Sequence, residues 1–305
     1  MQSIEFEEGY DLTDPDQIKR FKEDLVKLDS LWKNTHDIKA YSDYGVILMY
    51  LGRYKEAKNV FSTIEKIQPN LYATAANLGT AYELLGKNDS AYYWIQRGIT
   101  LNPESHEGSE WLHLKILEVK LKGLSYLTSR FMLGTDLGND SIPKSSIPKQ
   151  KLLDLRYHIS YQLQERMMFV KAPEPIVAFL LFQLGSMKAI TDDVTEALYS
   201  YNAAYRYGFR SELFVKRYFK FKQIHAHTPM PGTILSDQEL LAIIGKASLV
   251  SAKKVDTLTS AKAPKITHED SDTLPNQSSP YRSYMIAGAL IISLAAGYFI
   301  FRNRV

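Results

Sequence analysis

Seven histidines are the side chains with the most chemistry to offer, because the chain has no cysteine. Without thiols there is no cysteine nucleophile, no thiolate metal ligand and no disulfide. The histidines are His36, His106, His113, His158, His225, His227 and His268. A metal site needs imidazoles grouped with one another or with carboxylates at ligand spacing, and this sequence has no such group. His225 and His227 are two residues apart, so on a helix they point to different faces. His106 and His113 share a face at a spacing of seven, and they read as a polar surface pair. Asp136, Asn139 and Asp140 alternate in a loop as calcium ligands can, but the spacing is wrong and the closing glutamate is missing. There is no glycine-rich phosphate loop, no G-x-S-x-G and no defensible carboxylate pair. The expectation is a protein that is not an enzyme and uses no metal and no cofactor.

That leaves recognition. Thirty-seven basic residues nearly balance thirty-four acidic ones, for a net charge of +3, which argues against nucleic acid as the partner. Charged runs such as Lys19 to Lys27 read as solvated helix faces around an apolar stripe. Twenty tyrosines and thirteen phenylalanines imply a well-packed folded part. A recognition surface needs elements to position it, and those elements repeat. Gly45, Gly52, Ala57, Phe61 and Pro69 are each followed 34 residues later by a residue of matching type: Gly79, Gly86, Ala91, Ile95 and Pro103. Small Gly45 and Gly79 allow close approach of a paired helix, with Ala57 and Ala91 small for the same reason. Phe61 and Ile95 fill the gap beside them. Gly52 and Gly86 sit where a first helix ends and the chain turns back, and the prolines stop the second helix.

The first unit reads Tyr41-x2-Tyr44-Gly45-x2-Leu48, Ala57-x3-Phe61, Pro69; the second reads Ala75-x2-Leu78-Gly79-x2-Tyr82, Ala91-x3-Ile95, Pro103. Both resemble the 34-residue tetratricopeptide (TPR) repeat, with its leading tryptophan replaced. The resemblance covers residues 37–123 well and 178–211 moderately. It implies an all-α, TPR-type α-solenoid over residues 1–250, with repeats near 38–71, 72–105, a degenerate 106–137, and 178–211. In that degenerate unit His106 to Lys120 is in phase as a first helix, while Ser125 and Ser129 stand at the Ala and Phe positions. Leu181-x2-Leu184-Gly185 and Ala197-x3-Tyr201 carry the last repeat, without a closing proline.

TPR proteins as a family bind peptide segments or partner helices in a groove lined by the first helix of each repeat. The resemblance places Lys39, Ser42, Val46 and Met49 there in the first repeat, and Ala73, Ala76, Asn77, Thr80 and Glu83 in the second. Members that clamp a C-terminal carboxylate use a lysine and an asparagine where Ser42 and Val46 stand here, and only Asn77 matches, so no carboxylate clamp is expected. The same residues could instead pack against the chain's own N-terminal helix or its 150–170 helix.

Other helices are legible too. Asp14 and Pro15 start one with Ile18, Phe21, Leu25, Leu28 and Trp32 on one face. Lys151 to Val170 forms another, striped by Leu152, Leu155, Ile159, Leu163 and Met167, and broken by Pro173 and Pro175. Residues 134–149 read as a loop. Ser211 caps a helix reaching Ala226, and Ser236 with Glu239 makes a capping box for a short helix ending at Gly245.

From Ser283 to Phe301 the chain runs nineteen residues without a charge, between Arg282 and Arg302. This is ~28 Å of helix, close to the ~30 Å hydrocarbon thickness of a bilayer. Tyr281, Tyr284 and Tyr298 stand where interfacial aromatics sit. A globular core helix ordinarily keeps a polar face, and this segment has none. It reads as a single transmembrane helix, with Ala289, Ser293 and Gly297 as a small-residue stripe through which two spans could pack as a homodimer. Residues 251–280 are polar and read as a flexible linker. The acidic N-terminus carries no secretory signal, so the repeats are expected on the cytosolic side of a bacterial inner membrane or, alternatively, a mitochondrial outer membrane. The functional expectation is a membrane-tethered scaffold or adaptor for protein or peptide segments. The alternative is a structural subunit packed permanently inside a larger membrane complex.

Overall fold

Helix follows helix along the chain, and most helix ends are set by residues placed there for the purpose. The computed structural model describes residues 14–191, 194–225 and 235–243. These are all-α, with no strand among the described residues. Asp14 caps α1 (Pro15–Thr35) by accepting from the Asp16 amide at 2.9 Å, with Pro15 in the first turn. Asp37 does the same for α2 (Ile38–Tyr50), accepting from Lys39 at 2.8 Å. The chain then reverses into α3 (Tyr54–Ile67), α4 (Tyr72–Leu84) and α5 (Asn88–Leu101). The turns after α2 and α4 pass through Gly52 and Gly86 at φ +72° and +74°, a region open to glycine at little cost. Each of these helices packs on the next in the chain, and α2 also touches α4.

One packing device recurs. A Cβ added at Gly45 would stand 2.7 Å from the Phe61 ring. At Gly79 it would stand 2.6 Å from Ile95 Cγ1, and at Gly185 2.7 Å from the Tyr201 ring. The offset is sixteen residues in all three pairs. In each hairpin the missing side chain of one helix makes room for a large, fully buried side chain of its partner.

The middle of the chain is less regular. His106, Glu107 and Gly108 all have φ between +49° and +69°, so residues 105–108 make a tight left-handed turn in place of a helical one. The helix predicted from His106 starts in earnest only with α6 (Glu110–Lys122). Where the sequence has Ser125 and Ser129 at the packing positions, the second helix of the unit shrinks to five-residue α7 (Ser129–Leu133). The loop that follows leads into α8 (Lys149–Met167), then α9 (Pro175–Ile190), α10 (Val194–Arg206) and α11 (Glu212–Ile224). In α9 every side chain from Ile176 to Lys188 is buried, which makes it the central helix of this half. Ser211 caps α11, accepting from Phe214 at 3.0 Å. Ser236 and Glu239 form the reciprocal capping box, Ser236 N donating to Glu239 Oε2 at 2.7 Å and Glu239 N to Ser236 Oγ at 3.2 Å.

The core has two main parts. One gathers α1 to α4 around Phe21, Leu48, Phe61, Ile64 and Leu78. The other gathers α6 to α11 around Ile116, Leu163, Leu181, Tyr201 and Phe214. Helix α8 joins them. Its Ile159, Leu163 and Met167 belong to the second part, while Phe169, just past its end, stacks on Tyr50 at 5.1 Å, and Tyr50 stacks on Phe21 at 5.5 Å. No helix of the described residues is long and apolar enough to cross a membrane. The proposed span at 283–301, with Ala289, Ser293 and Gly297, and the 251–280 linker lie outside the described residues.

Candidate functional site

The residues read from the sequence as the inner face of the first two hairpins lie on α2 and α4, and the two helices present them differently. On α2, Lys39 is exposed, Ser42 and Val46 are half-buried, and Met49 is buried. On α4, Ala73 and Thr80 are half-buried, while Ala76, Asn77 and Glu83 are buried. Six consecutive residues of α4, Thr74 to Gly79, have little or no exposure, so every side of that helix is covered there. The Thr80 hydroxyl is turned back on its own helix, donating to the Ala76 carbonyl at 3.1 Å. Ala76 also lies against α5, since a Cβ at Gly98 would meet the Ala76 backbone at 3.6 Å. It belongs to the hairpin packing as well as to the inner face.

Glu83, placed by sequence among the groove-lining residues, is only 7% exposed, and its carboxylate is fully engaged by the chain itself. Arg166 of α8 donates to it in a fork, Nη1 to Oε1 at 2.6 Å and Nη2 to Oε2 at 3.1 Å. His113 Nε2 bonds Oε2 at 2.7 Å, and Lys120 Nζ stands 2.6 Å from Oε1. The seam continues from there. His113 Nδ1 lies 3.4 Å from Glu110 Oε2, and Glu110 Oε1 is bonded by His106 Nδ1. Beyond it Gln162 donates to Ser109 Oγ at 3.1 Å, and Trp111 Nε1 donates to His158 Nδ1 at 3.0 Å. Helix α8 thus crosses the inner side of α6 and α4 on polar contacts and ends against Tyr50 of α2. Within the second hairpin's face, the Glu83 end is covered by this helix.

Burial would ordinarily drive these carboxylates neutral. For Glu83, desolvation is the largest influence and raises the pKa, but Arg166 and His113 together outweigh it and hold the group well below 4.5. Glu110 is likewise raised by desolvation and lowered further by His106 and His113, ending far below the usual carboxylate range. His113 is pulled down by burial, yet Glu83 and Glu110 outweigh that and lift it above 6.5. Both of its ring nitrogens face a carboxylate, which favours the doubly protonated ring. His106 is raised by Glu110 against the same burial penalty. Of the pair read from sequence as polar and surface-lying, His113 is therefore a buried link between Glu83 and Glu110, and half-buried His106 extends the chain from Glu110. His225 is buried too, its Nε2 bonded to Thr195 Oγ1 at 2.8 Å; His227 lies outside the described residues.

No group of three or more His, Asp or Glu among the described residues is placed to hold a metal ion. In the 134–149 loop the cation is an arginine. Arg217 of α11, 1% exposed, donates to the carbonyls of Leu137, Gly138 and Asp140 at 2.9, 2.6 and 3.2 Å, and to Ser186 Oγ at 2.7 Å. The Asp140 side chain stays about three-quarters exposed, at 74%.

Arg166 is the residue that sequence reasoning missed. Its one signal is position: it falls beside Leu163 and Met167 on the apolar side of α8, where an unpaired cation would be costly. Asp43, half-buried on α2, was missed as well. Burial, its largest influence, raises its pKa to about 6, with Lys39 pulling the other way. No protein-family model matches the chain, and no curated protein matches it.

Proposed function

We propose that these hairpins are TPR-type units of a membrane-tethered α-solenoid that acts as a scaffold or adaptor for a protein or peptide segment. The reading rests on the 34-residue pattern, the uncharged segment at 283–301, and the difference between the two inner faces. That difference carries the site. With α8 over the second hairpin, the accessible inner surface is the stretch of α2 that bears Lys39, Ser42 and Val46. A shallow face with one long cation, one branched apolar side chain and half-buried Asp43 suits an extended or helical segment with small apolar anchors. The span places the domain at the membrane, and the Ala289, Ser293, Gly297 stripe would pair two copies.

The experiment is site-specific photocrosslinking from Ser42 in the full chain in membranes, with and without Val46→Arg. A discrete intermolecular product that Val46→Arg removes, at unchanged thermal stability, supports the reading. Crosslinks confined to the chain itself would remove it.

The alternative, a permanently packed structural subunit, draws on α1. Its outward face leaves Val26 71% exposed beside a shallow groove lined by Pro15, Ile18 and Lys22. An end helix with an uncovered stripe is where another subunit would continue the stack. Purification as a stable monomer in detergent would count against that alternative.

A further inference from the structure

We propose that the turn closing α6 is a membrane-contact tip that seats on anionic lipid headgroups. Three large apolar side chains crowd within six residues at the surface: Leu121 is 43% exposed, Leu124 57% and Tyr126 45%. The cause is local. The second helix of this unit is reduced to α7, so no long helix covers the end of α6. Gly123, at φ +102°, breaks α6 and turns residues 124–126 into an exposed 3-10 turn.

The rim is basic. Lys122 Nζ lies 5.8 Å from the Tyr126 ring centroid and 5.1 Å from that of Phe131, and Lys115 Nζ lies 4.7 Å from Phe131. Tyr126 meets Phe131 edge-on at 5.3 Å. Exposed Arg130 adds a third cation, and the acid Glu118 is held by both Lys115 and Lys122 at 3.1 Å. An apolar tip within a cationic collar matches a bilayer surface: leucine and tyrosine enter the interface, while lysine and arginine stay with anionic headgroups. Three side chains on a convex turn are too little for a stable protein interface. They suffice for a contact whose local concentration a tether already supplies. The inference rests on the membrane-tether reading to that extent, and the test separates the two.

The chain has no cysteine, so Ser125→Cys in the full chain takes a single bimane label at the exposed tip and keeps Leu124 and Tyr126. The protein is reconstituted into phosphatidylcholine vesicles, and into vesicles with a third of that lipid replaced by phosphatidylglycerol. Both carry headgroup nitroxide lipids as quencher. The same label on exposed Ser30 of α1 is the reference. Quenching at 125 should exceed that at 30 in anionic vesicles by at least about tenfold, fall in neutral vesicles or high salt, and fall with Lys122→Glu plus Arg130→Glu. Equal quenching at both positions overturns the proposal. So does a label response that follows protein concentration rather than lipid charge, because that marks a protein interface. Should the chain wash out of the vesicles at alkaline pH, the tether reading fails by itself. The same vesicles added from outside then still decide the tip: selective quenching at 125 retains it, and none removes it.

Discussion

Helices α2 and α4 hold matching places 34 residues apart and carry a glycine at the same register, yet their inner faces meet different fates. At Gly45 and Gly79 the same logic applies, a missing Cβ against a large side chain of the next helix. Twelve residues into the repeat the logic parts. Met49 leaves the α2 face apolar and partly open beside Ser42 and Val46, whereas Glu83 draws α8 onto α4 through Arg166, with His113 and Lys120 closing the same carboxylate. The hairpin is specified by its own residues. The inner face is specified by whichever distant element can satisfy it.

Removing the distant partner is the strongest way to break this contrast. Arg166→Ala leaves Glu83 buried with two of its three cations, and losing one member of a buried pair is expected to cost about 3–5 kcal/mol. Urea denaturation of the full chain in detergent measures it. Replacing Lys39, the exposed cation of the open face, should change stability little by comparison.

Next comes the packing that the hairpins share. Gly185→Ala drives a methyl into the Tyr201 ring at 2.7 Å and the Ala197 carbonyl at 3.0 Å. Overpacking of this kind costs about 1–3 kcal/mol. Gly79→Ala meets Ile95 at Cγ1 as well as at its end, and valine keeps the Cγ1 contact, so Ile95→Val should recover only part of the loss, with Ala now favouring the helix. A Gly79→Ala chain as stable as the parent would show the approach to be loose.

Smaller again is the pH dependence of the ionic seam. His106 and His113 have folded pKa values above the ordinary 6.5, so above pH 6.5 the folded chain keeps protons that the unfolded chain releases. Their contribution is complete below 6.5 and is lost as pH rises through the folded values. Glu83 and Glu110 act oppositely: their contribution is complete above 4.5 and is lost as pH falls through their depressed values. Each tenfold difference in proton affinity is worth about 1.4 kcal/mol. Melting temperature should therefore fall as pH rises above 6.5, and His113→Gln should flatten that fall while lowering stability near pH 6. An unchanged slope in the variant would separate His113 from the seam.

The smallest effect belongs to the open face. Asp43 has its pKa raised from 3.8 to about 6 by burial, so its ionisation opposes folding as pH rises through that interval. Asp43→Asn should stabilise the chain at pH 8 by up to about 1 kcal/mol, allowing for solvent screening at this partly exposed site, and do nothing at pH 4. Stabilisation at both values would assign the gain to packing instead.

Much of the fold was legible because its determinants are local. Asp14, Ser211 and the Ser236–Glu239 box cap helices where they stand in sequence, and the sixteen-residue offset from Gly45 to Phe61 can be read from the chain alone. The start of α6 was misplaced because three consecutive positive φ angles at His106 to Gly108 left no pattern that marks a turn, two of them falling on non-glycine residues. The site was the harder part. Glu83 and Arg166 are 83 residues apart, and no periodicity links them. Glu83 looks like an ordinary solvated acid at the end of a helix, and His106 with His113 like an ordinary polar pair. Their burial depends on α8 arriving from elsewhere.

Thiol accessibility tests the filled second face against the open first face most directly. The chain contains no cysteine, so Ser42→Cys and Asn77→Cys each supply a sole thiol, on the α2 and α4 inner faces respectively. With α8 in place, the cysteine at 42, half-buried on the open face, should react with a maleimide in the folded chain without urea. The cysteine at 77, where Asn77 is only 8% exposed, should react only through global unfolding, slower by on the order of a thousandfold or more and accelerating with urea as the unfolding equilibrium does. Comparable rates at the two positions in the absence of urea would mean that α8 leaves the second hairpin open, and the contrast between the faces would be lost.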